Sequence, residues 1–104
     1  MSTIASYPHI VKEAGSPARL ERHPRTRVAM IVMDYLVRGL APEDIVGHYP
    51  YLTLAEVHSA MTYYHDHRDE IDSEIRGELD QLKDSADANA RSAIWQKLKA
   101  AGVI

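Results

Sequence analysis

The chain has 104 residues, of which 45% are hydrophobic and 26% charged, with a formal net charge of −3 and no cysteine. That length suits one small domain with one core, and the composition excludes a wholly disordered chain or an enzyme with a separate cofactor domain. Without cysteine there are no disulfides, thiolate zinc sites or cysteine nucleophiles. Phe is absent and the aromatics are six Tyr and one Trp, so the core must rely on aliphatic residues and Met. The tyrosines are then available for half-buried positions. Residues 1–5 lack a basic and then apolar leader pattern, and the longest apolar run, residues 28–33, is far too short to span a bilayer. A cytoplasmic protein without membrane contact is expected.

In chain order, Tyr7-Pro8-His9-Ile10-Val11 reads as a short edge strand. Gly15-Ser16-Pro17 is a turn signal, and Ala18-Arg19-Leu20 pairs back as a second strand. His23-Pro24 breaks the chain again, and Thr26-Arg27-Val28 is extended before a helix. Val28, Ile31, Val32, Tyr35 and Leu36 then form one apolar helical face, stopped by Gly39. A second, short helix begins around Pro42, with Glu43 and Asp44 favourable to its N-terminal dipole, and ends at Gly47. Pro50 keeps residues 48–52 out of a helix. Thr53 is an N-cap whose capping box is completed by Glu56, and Leu52 and Val57 are spaced as a hydrophobic staple. Leu54, Val57, Met61 and Tyr64 line the third helix. Ile71, Ile75, Leu79 and Leu82 form the narrow seam of a fourth. After a polar break over residues 84–89, Ile94, Trp95 and Leu98 mark a last helix, ended by Gly102.

The expected fold is mainly α: a small N-terminal β element, a three-helix helix-turn-helix core and C-terminal helices. It divides as a basic arm (1–27), the core (28–67) and an acidic helix with a C-terminal arm (68–104), one domain overall. Charge follows this division. Residues 1–27 hold Lys12, Arg19, Arg22, Arg25 and Arg27 against Glu13 and Glu21, whereas residues 66–87 hold nine acidic and three basic side chains. Such segregation points to partners more than the mean charge does.

Helix, tight connector and capped helix in succession form the arrangement in which a second helix lies in the DNA major groove. Here that helix starts at Thr53, and its expected groove-facing residues are Ala55, Glu56, Ser59 and Thr62. Any small three-helix core has the same pattern, and this helix contains no Lys or Arg. Phosphate attraction dominates DNA affinity, so Arg19, Arg22, Arg25 and Arg27 of the basic arm would have to supply it. The run His65-Asp66-His67-Arg68-Asp69 has the spacing of some metallohydrolase ligand sets. On a continuous helix, however, His67 points away from His65 and Asp69, and a polar helix junction is the better reading. No nucleophile elbow, phosphate loop or dinucleotide fingerprint occurs. Neither catalysis, a metal nor a cofactor is expected. The seam Ile71, Ile75, Leu79 and Leu82, together with Trp95, has as its neighbour the chain's own core, a second copy or another protein. In so small a chain an apolar arm outside the core favours a homodimer.

Gly39-Leu40-Ala41-Pro42-Glu43-Asp44-Ile45, then Tyr49-Pro50-Tyr51-Leu52-Thr53-Leu54 and Val57, resembles the bacterial domain of unknown function 433 family. Thr26-Arg27-Val28 is similar to the family's segment before its first helix, and Tyr63 through Asp72 looks like a tail carried by one branch. The resemblance implies a homeodomain-like or winged helix-turn-helix fold and an antitoxin encoded beside a PIN-like ribonuclease toxin. Such an antitoxin covers the toxin's site with one segment and binds operator DNA with another. In this chain Glu21-Arg22-His23-Pro24-Arg25 replaces the family's Gly-rich run. The expected function is therefore a non-enzymatic antitoxin-type protein that binds a PIN-like nuclease, with the acidic block at 66–87 mimicking RNA, and its own operator DNA. The alternative is a dimeric structural or interaction module that binds no nucleic acid.

Overall fold

Two turns shape the N-terminal region of the computed structural model, which describes residues 7–81 and 88–104. Gly15, at φ 79°, reverses the chain where a side chain would be strained. Strands β1 (Ile10–Val11) and β2 (Arg19–Leu20) then pair antiparallel, Ile10 opposite Leu20 and Val11 opposite Arg19. A second turn closes with the Thr26 N–H donating to the His23 carbonyl at 2.8 Å, with Pro24 in the position where its fixed φ favours a β-turn. Residues 26–28 come back along β2: the Leu20 N–H donates to Thr26 O and the Val28 N–H to Ala18 O, at 2.9 and 3.0 Å. The hairpin thus forms with Glu21-Arg22-His23-Pro24-Arg25 in its second turn.

Helix α1 (Val28–Arg38) buries Val28, Ala29, Ile31 and Val32 and ends at Gly39 in the left-handed conformation, φ 67°. Tyr35, expected on the apolar face, is 40% exposed, whereas Leu36 and Val37 beside it are half-buried against the core. Helix α2 (Pro42–His48) starts with Pro in its first turn, and Asp44 accepts from the Ala41 N–H at 3.0 Å. It runs through Gly47 to His48, one residue past the expected stop. In α3 (Leu54–Asp66), the Thr53 hydroxyl accepts from the Glu56 N–H at 3.2 Å while the Glu56 carboxylate accepts from the Thr53 N–H at 2.8 Å. Leu52 and Val57 are both buried. With Leu52 filling the place ahead of the helix, Leu54 is left at the rim, 41% exposed.

The C-terminal helices are not arms. Ile71, Ile75 and Leu79 of α4 (Arg68–Gln81) belong to the same buried cluster as Val28, Ile31 and Tyr64, and α4 packs on α1. Helix α5 (Ala88–Ala100) also packs on α1, through buried Leu98. It includes Ala88 and Asn89, which had been assigned to the polar break; residues 84–87 and Leu82 lie outside the described residues. Gly102, at φ 84°, turns the chain so that the Val103 N–H donates to Leu98 O at 2.9 Å and its side chain folds back into the core, as a Schellman-type ending does. Two α4 arginines hold this end: Arg68 donates to Ala101 O at 3.1 Å and Arg76 to Val103 O at 2.8 Å. The seam assigned to a partner or dimer contact is thereby corrected, since the chain itself covers Ile71, Ile75 and Leu79.

Because these side chains are core, Ile75→Ala should destabilise the whole domain by about 2–5 kcal/mol, against about 1 kcal/mol for the cap variant Thr53→Ala. Urea unfolding followed by circular dichroism measures both. An Ile75→Ala midpoint equal to that of the unmodified chain would restore the arm reading.

Candidate nucleic-acid interface

The turn at Pro24 projects Arg22 and Arg25, both exposed and neither in an ion pair among the described residues. They share a hollow of about 410 Å³ with His23, Pro24, Thr26 and Tyr51. Tyr51 belongs to the connector just ahead of α3. Its hydroxyl lies 3.2 Å from Thr26 Oγ1, and its ring meets His23 edge to face at 4.8 Å. The basic loop is therefore docked against the connector that leads into α3, although Thr26 and Tyr51 are 25 residues apart in the chain.

Beneath this loop lies Glu56, fully buried. Its inward position corrects its assignment to the groove-facing set: a capping-box carboxylate must turn back on its own helix terminus to reach the Thr53 N–H. Burial alone would push the Glu56 carboxyl up, but hydrogen bonds from Thr53 and the charges of Arg22 and His23 hold it below its ordinary value. Its second oxygen has no hydrogen-bond partner, nor has the buried His23 Nε2. Loop and helix thus share an electrostatic contact as well as a steric one.

The remaining candidates separate into two groups. Arg19 pairs with Glu13. Arg27 pairs with Glu74 and Glu78 of α4, where burial and the neighbouring carboxylates of Glu78 and Glu70 raise the Glu74 carboxyl despite Arg27. Both guanidiniums already face a carboxylate, which corrects their assignment as free phosphate contacts: Arg19 meets Glu13 six residues away on the hairpin, and Arg27 meets Glu74 across the fold, 47 residues on. Thr53 is exposed but occupied by its cap. Ala55 and Thr62 lie on the exposed face of α3 and Ser59 half-buried beside them. Leu54 and His58 share that face. Sequence reasoning missed both, although the helical spacing 54, 55, 58 and 62 carries the signal for them.

The acidic block is largely committed within the chain. Glu70 accepts from the Tyr63 hydroxyl at 2.9 Å, and Asp72 from the Tyr64 hydroxyl at 3.0 Å while also pairing with Arg68. Burial first, and then these carboxylates, push the Tyr63 and Tyr64 phenols up from their ordinary value. Within the block Glu70 also meets Lys12, Asp72 meets Arg68, and Glu74 and Glu78 share Arg27, so part of the charge assigned to RNA mimicry has partners within the chain; Asp84 and Asp87 lie outside the described residues. The His65–Asp69 run sits at the α3–α4 junction, where His67 stacks on Tyr63 at 4.2 Å and its Nδ1 lies 3.2 Å from Tyr63 O. Among the described residues no three His, Asp or Glu are grouped to hold a metal ion, and no helix is long and apolar enough to cross a membrane. Trp95 is 39% exposed, with Lys99 over its ring at 4.9 Å.

Residues 21–64 match a family model described as a protein of unknown function, DUF433. The chain carries a DUF433 domain. No curated protein and no solved structure matches it. The DUF433 domain runs from the basic loop to the end of the α3 core face, so Arg22, Arg25, Tyr51 and the outer face of α3 all fall inside it. β1, α4 and α5 lie outside the matched residues, yet they complete its core.

A carboxyl held below its usual value stabilises the fold above the unfolded value near 4.5, and that contribution disappears as pH falls through the folded value. The stability difference between the unmodified chain and Glu56→Gln should therefore be fully present at about pH 7 and narrow below about pH 4.5. Urea midpoints across that range measure it, and a constant gap would contradict the assignment.

Proposed function

We propose that this chain is a non-enzymatic, DNA-binding helix-turn-helix protein of the antitoxin type, which sets α3 in the major groove of its operator and lays Arg22 and Arg25 on the flanking phosphates. The observation that carries this reading is the docking of an unpaired basic loop beside Tyr51 at the start of α3. A helix with no cation of its own needs phosphate contacts from elsewhere, and the loop supplies two guanidiniums. Phosphate contacts position a protein while base contacts specify its site; here the two tasks fall to different elements. The antitoxin role comes from the family resemblance and has its own support only in exposed surface. With the α4 seam buried, a PIN-like nuclease partner is left with α5, where Trp95 is exposed, and with Ile104 beyond it.

Titration of a duplex pool with the full chain at several salt concentrations tests the DNA reading. The double variant Arg22→Ala/Arg25→Ala should bind more weakly, with its log–log salt slope reduced by about 1.8, roughly 0.9 per phosphate lost. Absence of binding at low salt would favour the alternative, an interaction module without nucleic acid. Co-expression with a PIN-like nuclease tests the partner: the full chain should co-purify with it and Trp95→Ala should not, whereas equal recovery of the two removes α5 from that role.

A further inference from the structure

The outer face of α3 carries chemistry that phosphate contacts leave unused. Leu54, Ala55, His58 and Thr62 are exposed along it. The Thr62 hydroxyl donates to His58 O at 3.0 Å, so its hydrogen is committed to the helix backbone and its methyl remains for contact. Between Thr53 and Asp66 there is no Arg, Lys, Asn or Gln. Those are the side chains that make bidentate contacts to guanine and adenine edges. What the face offers instead is aliphatic, an isobutyl group and two methyls, with the His58 imidazole as the main polar group.

In the major groove the apolar mark of a base pair is the 5-methyl of thymine. Resting on the DNA-binding reading above, we propose that α3 identifies its site by thymine methyls, with Leu54, Ala55 and Thr62 as the contacting strip and His58 as a single polar anchor. From Leu54 to Thr62 the strip is about 12 Å long at 1.5 Å per residue, which covers roughly three to four base pairs at 3.4 Å each. Charge selects duplex DNA over an apolar protein surface as the occupant, because Arg22 and Arg25 line a hollow with Tyr51, just ahead of α3, and form no ion pair among the described residues.

Uracil differs from thymine only by that methyl, so the test compares the two directly. The full chain is used to select sites from a random duplex pool, and the selected duplexes are remade with deoxyuridine in place of thymidine. Thymine-bearing positions should dominate the selected sites, and each methyl removed from a contacted position should weaken binding about fourfold, the equivalent of one buried methyl group. Leu54→Ser, an exposed position whose change spares the core, should bring the thymine-to-uracil ratio toward one without altering the salt slope. Arg22→Ala/Arg25→Ala should reduce the slope and keep the ratio. Equal affinity for the two duplexes, or a site dominated by guanine, overturns the methyl proposal while DNA binding stands. No DNA retained at low salt overturns both.

Discussion

Helix α1 presents apolar side chains around most of its first two turns, Val28, Ala29, Ile31 and Val32, and a helix of that kind is stable in water only when neighbours enclose it. Helices α2, α3, α4 and α5 all pack against it. The short N-terminal ladder contributes Ala18 and Leu20 to the same cluster, and the C-terminal turn contributes Val103. A chain of this size has material for one core, so the flanking segments cannot stand apart from the helix-turn-helix unit. They are the walls of the enclosure.

The enclosure explains where the charges went. Bringing α4 onto α1 sets Glu74 and Glu78 beside Arg27, the residue that ends the hairpin and begins α1. It also brings Glu70 and Asp72 to the hydroxyls of Tyr63 and Tyr64. Partly buried carboxylates and phenols need such partners, since an unpaired one would carry the cost of its lost hydration. The acidic block and the basic arm thus meet at two places, Arg27 with Glu74 and Glu78, and Lys12 with Glu70. Arg22 and Arg25 escape because the Pro24 turn carries them past the ladder toward Tyr51.

Much of the local architecture was legible in the residues. Gly39 and Gly102 stop helices as left-handed caps, Pro42 opens α2, and Thr53 with Glu56 starts α3, because capping depends on neighbours within about four residues. The candidate site was legible only in pieces. Arg22, Arg25, Ala55 and Thr62 could be named from charge and spacing, while Tyr51 and His58 were passed over and Glu56 was placed on the wrong side of its helix. A capping box identifies the bond a carboxylate makes but not that a loop from another part of the chain closes over it. Leu54 and Tyr35 show the same limit: periodicity marks an apolar face, and the packing of other elements sets where that face stops.

The sequence by itself determined the element order, the turns, the caps and the DUF433 signature from Glu21 to Tyr64, since each depends on short-range stereochemistry or on a contiguous pattern. The tertiary structure alone decided which charges remain available. Whether an arginine meets solvent or a carboxylate depends on contacts between residues nearly fifty positions apart, as with Arg27 and Glu74, and no local pattern encodes them. Net charge and charge blocks therefore described the chain, while the pairing that follows from enclosing α1 left Arg22 and Arg25 exposed and outside any ion pair among the described residues.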